Sequence, residues 1–197
     1  MLRSLIVLVA LSILAFAVPV AERGVNACTD VIVIFARGTI EPAPIGTRVG
    51  PPLQNALQAA LGGKSLAFTG VDYPANIAGF LEGGDPAGSV TMAQDITNAA
   101  NSCPKAAIVT SGYSQGGQLV HNSAKLLSAK VSSRIKAAVI FGDPDDGEAV
   151  QGVPAANTDV ICHAGDNICS HGDLMLPQHL TYDKDTPAAA AFIAARV

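Results

Sequence analysis

Chemistry enters this 197-residue sequence at Gly112-Tyr113-Ser114-Gln115-Gly116. The G-x-S-x-G spacing suits a serine carried at the tip of a sharp strand-to-helix turn. Ahead of it, Ala106 to Ser111 is a short apolar run of the kind that forms a buried strand. Behind it, Val120, Ala124, Leu127 and Val131 recur at helical spacing. Glycines two before and two after the serine carry no Cβ, so strand and helix can approach closely. The helix N-terminus then turns free N–H groups and a positive dipole end toward Ser114, which suits a developing oxyanion. A glycine-rich turn with an incidental serine is the alternative, and the flanking strand and helix patterns weigh against it. A phosphate loop is excluded, because no Lys-Ser/Thr pair closes the motif.

A serine hydroxyl needs a base to take its proton. The histidines are His121, His163, His171 and His179. His121 lies two turns along the helix after the serine and is expected at the surface, pointing away. His163 directly follows Cys162, in a strand or just leaving it. In hydrolases with this turn the chain order is serine, acid, histidine. Only His171 and His179 follow a plausible acid with enough chain to fold back. Leu174, Met175, Leu176 and Leu180 surround His179 in sequence and would form an apolar wall tuning its pKa. Asp166, between Cys162 and Cys169, and Asp143, after Phe141-Gly142, are rival acids. Asp143, Asp145, Asp146 and Glu148 also resemble a cation site, but their spacing fits no calcium loop, and a solvated turn is expected. For the oxyanion, one donor is the backbone N–H of Gln115. The other is expected from Arg37-Gly38-Thr39-Ile40, where Thr39 offers both N–H and hydroxyl; otherwise that stretch is only a strand-ending turn.

The elements that must position these groups alternate. Strands are expected at 30–36, 65–71, 106–111, 135–142 and 158–162. Helices are expected at 51–61, at 89–100 with Ser89 as N-cap, after the serine, and at the C-terminus, where Thr186-Pro187 caps a helix running to Ala195. Residues 37–50 and 72–88 read as loops, the second holding Ile77, Phe80 and Leu81. Apolar strands alternating with helices imply a parallel sheet covered on both faces, with ligands at the carboxyl ends of the strands.

The length suits one domain with a substantial core. Residues 1–17 combine Arg3, an apolar run and Ala15-Phe16-Ala17, the pattern of a secretory signal peptide. Val18-Pro19-Val20-Ala21 allows cleavage as late as residue 21, leaving a single domain over 22–197. No other segment is long and apolar enough for a membrane span. The cysteines are Cys28, Cys103, Cys162 and Cys169, an even count that in an exported chain implies two disulfides, with three pairings open. Zinc is disfavoured because no C-x-x-C pair exists. A net charge of −4, no tryptophan and no basic patch argue against nucleic acid as a partner.

Four ordered stretches together resemble the cutinases, small secreted serine esterases. They are Phe35-Ala36-Arg37-Gly38-Thr39-Ile40-Glu41-Pro42, Gly112-Tyr113-Ser114-Gln115-Gly116, Cys162-His163-Ala164-Gly165-Asp166-Asn167-Ile168-Cys169 and His179-Leu180-Thr181-Tyr182. The resemblance runs from about Cys28 to the C-terminus. It implies a three-layer α/β/α sandwich, a minimal lidless α/β-hydrolase with a central, mostly parallel five-stranded sheet. It also implies Ser114 as nucleophile, Asp166 as acid, His179 as base, Thr39 and Gln115 framing the oxyanion hole, and the pairs Cys28–Cys103 and Cys162–Cys169. No metal or organic cofactor is required. Phe80, Leu81, Leu174 and Leu176 would flank an open groove, so that a secreted monomer meets an insoluble polyester directly. Two departures stand out. Pro177-Gln178 precedes His179 where many members place proline directly before the base. Phe141-Gly142-Asp143-Pro144 resembles the acetylxylan esterases instead, although the cysteine count is lower than is usual there. An acetylxylan esterase on the same fold is therefore the alternative, and a secreted binding or elicitor protein without turnover is the alternative from another class.

Overall fold

A computed structural model describes residues 28–197. The signal peptide and its cleavage region lie outside the described residues. Five strands, β1 (Val31–Ala36), β2 (Leu66–Gly70), β3 (Ala107–Tyr113), β4 (Ile135–Phe141) and β5 (Thr158–Ile161), form one sheet in the order β2-β1-β3-β4-β5, with every pairing parallel. The central strands are covered on both faces, which is why they read as unbroken apolar runs. Both edge strands are only half-buried, and their sequence pattern is correspondingly weaker.

Alternation along β1 assigns the layers. Val31, Val33 and Phe35 join the core beneath α1 (Gly50–Ala60) and α6 (Thr186–Ala194), and these two helices pack on each other. Ile32, Ile34 and Ala36 face the opposite core, under α3 (Pro86–Ser102) and α4 (Gln115–Leu126). Leu53 and Leu57, one turn apart on α1, are fully buried. Truncating either to alanine would cost about 2–5 kcal/mol.

Several boundaries differ from expectation for local reasons. Residues 72–88 are not all loop. Asn76 caps a short helix, α2 (Ile77–Leu81), by accepting from Gly79 N at 2.8 Å. Asp85, rather than Ser89, caps α3: its carboxylate accepts from Gly88 N at 2.6 Å, and Pro86 occupies the first turn. Ser89 instead bonds back to the Asp85 carbonyl from inside the helix. The helix after the serine stops at Leu126, and Ser128 caps a separate short helix, α5 (Ala129–Ser132). Val120, Ala124 and Val131 nevertheless share one core, with Leu127 packed against it. At α6 the N-cap is Asp185, and Thr186 is already helical. Disulfides join Cys28 to Cys103 and Cys162 to Cys169, with Cα separations of 5.4 and 6.0 Å. The first anchors the start of the described chain to the residue that closes α3, just ahead of β3. The second closes the loop that carries Asp166.

Candidate active site

Ser114 stands between β3 and α4 with φ 56° and ψ −123°, a conformation that costs a non-glycine residue about 1–3 kcal/mol. Its N–H donates to the Phe141 carbonyl at 2.9 Å, which ties the strained turn to the end of β4. The flanking glycines are steric necessities. A Cβ on Gly112 would lie 2.1 Å from the Gly116 carbonyl oxygen, and one on Gly116 would lie 2.0 Å from that of Ala36. The motif therefore lets helix, strand and neighbouring strand meet backbone to backbone.

His179 and Asp166 arrive from the last quarter of the chain and meet as a fully buried pair, Nδ1 to Oδ2 at 2.8 Å. Since Nδ1–H donates to the carboxylate, the neutral ring carries its lone pair on Nε2, which is buried without a hydrogen-bond partner among the described residues. Burial lowers the pKa of His179; the hydrogen bond and charge of Asp166 oppose this, while Arg48 and His163 reinforce it, and the net shift is downward. For Asp166, burial pushes the pKa up, but donors from Tyr182 and His179, the charge of His179 and the Ile168 N–H outweigh it, leaving the carboxyl lowered and ionised.

Two tyrosines hold this pair, and neither was assigned a role from the sequence. Tyr113, the variable residue before Ser114, stacks on the His179 ring at 5.2 Å and donates its hydroxyl to the His179 carbonyl at 2.8 Å. Tyr182, buried to 1%, donates to Asp166 Oδ2 at 2.7 Å and accepts from His163 N at 2.9 Å. Gly142, with φ 59°, forms the remaining wall; a Cβ there would lie 2.7 Å from His179 Cε1. The wall around His179 is thus aromatic and backbone. Leu174, Met175 and Leu176, expected to form it, are exposed. The available signal was scarcity: the chain has only three tyrosines, and two of them lie within three residues of Ser114 or His179.

Thr39 and Ser114 share the walls of two cavities, of about 170 and 200 Å³, the first of which Tyr113 also lines. The Gln115 side chain donates from Nε2 to Thr39 Oγ1 at 3.0 Å and to the Asn76 carbonyl at 2.7 Å. Because Thr39 Oγ1 accepts there, its own proton is free to point elsewhere. Gln115 opens α4, where backbone N–H groups have no intrahelical partner. The Thr39 loop is braced from below. The Glu41 carboxylate accepts from Gly38, Thr47 and Arg48 N at 2.9–3.0 Å. Buried Arg37 donates to the Glu41 and Tyr73 carbonyls. The stretch 37–41 is therefore far more than a strand-ending turn.

His121 is not a surface residue. It is fully buried and bonds Asp143 Oδ2 through Nε2 at 2.8 Å. Asp143 is equally buried rather than part of a solvated turn, and its Oδ1 accepts from Asp145 N at 3.0 Å. It sits one residue beyond Gly142 and bonds His121 on α4, while Asp166 is the carboxylate that reaches His179. His121, Asp143 and Asp145 have ligand atoms within 4.8 Å of one another, but the imidazole already spends Nε2 on the carboxylate. His171 is exposed, donating Nδ1–H to the Pro144 carbonyl at 2.8 Å. His163 pairs with Asp185 at 2.7 Å and stacks on Tyr182 at 4.1 Å.

The groove beside Ser114 is lined by Ile40, Ile77, Phe80, Ile168 and Met175 along with Thr39 and Asp173. Of the expected lining residues, Phe80 is there. Leu81 lines the adjoining larger cavity instead. Leu174 and Leu176 line neither of the cavities at Ser114, because the tight turn closed by Leu176 N to the Leu174 carbonyl at 3.0 Å presents Met175 to the groove in their place.

The cutinase family model matches residues 27–197. A cutinase of Botryotinia fuckeliana is 60% identical, over 94% of this chain and 91% of its own length. A cutinase of Monilinia fructicola is 54% identical, over 97% and 94%. Among solved structures, a Trichoderma reesei cutinase in complex with a phosphonate inhibitor superposes with a TM-score of 0.83 at 47% identity, covering 85% of this chain and 76% of that one. The catalytic core of an acetylxylan esterase from the same organism superposes with a TM-score of 0.68 at 24% identity, covering 87% of this chain and 100% of its own, a likeness of fold alone. A matched family model over nearly all the described residues, relatives above half identity, and a parallel sheet presenting a strained serine together place this chain in the cutinase family of carboxylic ester hydrolases.

Proposed function

We propose that the protein is a secreted cutinase that hydrolyses cutin polyester and short-chain acyl esters through Ser114, His179 and Asp166. The observation that carries this is the orientation of His179: Nδ1 is committed to a buried carboxylate, Nε2 is unpartnered, and the ring is clamped against the residue preceding the serine. In the first half-reaction, Ser114 Oγ attacks the ester carbonyl as His179 Nε2 takes its proton. The Thr39 hydroxyl and N–H, with the Gln115 N–H, hold the tetrahedral oxyanion. His179 returns the proton to the leaving alcohol oxygen, and the acyl group remains on Ser114. Water, deprotonated by His179, then attacks the acyl-enzyme and regenerates the serine. Asp166 keeps Nδ1 protonated and stabilises the imidazolium without accepting its proton. Tyr182 and Tyr113 act as positioning residues for that pair. No step calls for a metal or organic cofactor.

The surroundings favour a solid substrate. Ile40 is 74% exposed, Leu81 65%, Ile77 61% and Leu174 60%, an apolar rim about the groove with no burial to justify it within the fold. A monomer can lay this rim on an insoluble polyester while a chain segment enters beside Ser114. Export is supported by the N-terminal signal pattern, with residues 22–197 as the mature domain, and by the two disulfides. Labelling with a serine-directed phosphonate tests the chemistry. Native protein should be modified stoichiometrically and Ser114→Ala not at all; equal labelling of both would overturn the assignment. For the surface, Ile40→Ser with Leu174→Ser should depress polymer hydrolysis well beyond hydrolysis of a soluble butyrate ester, whereas equal losses would remove the docking role.

A further inference from the structure

Beyond the apolar groove lies a cavity of about 470 Å³, and the sequence motifs do not account for it. Phe80 and Asp173 belong to both walls, so the two spaces adjoin. Its lining includes Leu81 and Pro144 but also four polar side chains, Gln118, Asp145, His171 and Asp173. Asp145 and Asp173 contribute carboxylates. His171, whose Nδ1–H is spent on the Pro144 carbonyl, offers Nε2 as an acceptor when neutral. Gln118, only 5% exposed, donates through Nε2 to the Phe80 carbonyl at 3.2 Å and leaves Oε1 with no partner among the described residues. A buried amide oxygen without a donor costs free energy, which a ligand hydroxyl would recover once the amide turns toward the cavity.

From this surplus of acceptors around one aromatic face, we infer that the cavity is a subsite for a polyhydroxylated alcohol, a sugar ring or polyol, esterified at the carbonyl that Ser114 attacks. A sugar ring presents hydroxyl donors around its rim and a C–H face that packs on an aromatic side chain such as Phe80. Its place on the alcohol side follows from chain connectivity. Pro144 and Asp145 continue directly from Gly142, the backbone against which the His179 ring rests, and His179 is the group that protonates the departing alcohol. Thr39 borders both cavities at Ser114, and the one farther from Phe80 is lined by Arg48, Thr47 and Glu41. The subsite rests on the proposed esterase chemistry at Ser114 and extends it to the alcohol half of the substrate.

Three butyrate esters separate the possibilities: a methyl glucoside carrying butyrate on its primary hydroxyl, cyclohexylmethyl butyrate of similar size, and butyrylcholine as a cationic alcohol. Wild-type protein should favour the glucoside ester over the cyclohexyl ester by roughly tenfold in kcat/KM, expressed in KM, as two modest hydrogen bonds would give. Gln118→Leu and Asp145→Ala should each reduce that preference several-fold and leave nitrophenyl butyrate turnover unchanged, which also verifies folding. No preference in the wild type, equal losses on both alcohols, or a preference for butyrylcholine would overturn the subsite. Binding of methyl glucoside to Ser114→Ala, followed by saturation-transfer NMR, reads the cavity without turnover. It should be seen with the intact cavity and weaken in the Gln118→Leu double variant; no binding overturns the subsite even if esters are cleaved. Loss of all ester turnover and phosphonate labelling would instead count against the chemistry at Ser114.

Discussion

Among the described residues are two buried histidine–aspartate pairs of the same length, set in opposite surroundings. His179–Asp166 and His121–Asp143 each span 2.8 Å with both side chains fully buried. Burial lowers the pKa of both histidines, and each carboxylate partner opposes it. What differs is the second circle of charge. His121 also feels Asp145 and Glu148, and its pKa ends raised. His179 feels Arg48 and His163, and its pKa ends lowered. The first pair therefore favours the charged imidazole to higher pH than usual, and its hydrogen bond fastens α4 to the loop after β4. The second favours the neutral imidazole to lower pH than usual, as the proposed base requires. A short histidine–carboxylate contact is thus no indication of catalysis by itself: in both pairs the other ring nitrogen is buried without a partner among the described residues, and the neighbouring charges set the two apart.

The largest expected effect separates the pairs by activity. Asp166→Asn should lower kcat by about 10⁴-fold with little change in KM, by loss of the tautomer and of imidazolium stabilisation. Asp143→Asn should leave kcat within a few-fold and instead cost about 3–5 kcal/mol of stability, because it leaves half of a buried ion pair. Steady-state kinetics beside urea denaturation of the two variants would show the crossing. A comparable kcat loss in both would erase the distinction.

A smaller effect is expected on the oxyanion side. Thr39→Val retains the backbone donor and removes the hydroxyl, and should reduce kcat by roughly 10²–10³-fold. Smaller again is Tyr182→Phe, which withdraws one hydrogen bond from an ionised carboxylate and should cost about tenfold in kcat. It carries a second signature. Asp166 Oδ2 accepts from both Tyr182 and His179, so removing the tyrosine donor strengthens the pull of Asp166 on the imidazole. The acid limb of kcat/KM should then move to higher pH, which a merely destabilising change would not produce.

The mildest prediction concerns pH and stability. The folded pKa of His121 is raised above its unfolded value of about 6.5. Its contribution is therefore fully present below that unfolded value and is lost as pH rises through the folded one. The destabilisation by Asp143→Asn should shrink as the pH is raised through that window. A penalty constant across it would mean that His121 is not charged in the fold.

Much of this was legible in the residues, and the gaps have physical causes. The sheet's five strands and the serine turn follow from local patterns: apolar runs between turn signals, and glycines where backbones must touch. The meeting of Asp166 and His179 was readable because chain order and the resemblance to a known family bring them together. His121 was misjudged because helical periodicity locates a residue on a face, and the face two turns beyond Ser114 is covered by the β4 loop, which no local pattern announces. Tyr182 and Gln118 act through contacts across the fold, to Asp166 and to Phe80. Leu174 and Leu176 were expected at the groove because an apolar sequence does not tell which of three successive residues a tight turn will point inward.

The most direct test of the contrast is an NMR titration of the imidazole Cε1 protons, assigned with His179→Asn and His121→Asn, set beside the pH dependence of kcat/KM. One resonance should titrate below the ordinary histidine value and coincide with the acid limb of activity; it should vanish in His179→Asn. The His121 resonance should titrate above that value without any counterpart in the rate. An acid limb that follows His121, or two histidines titrating together, would contradict the account.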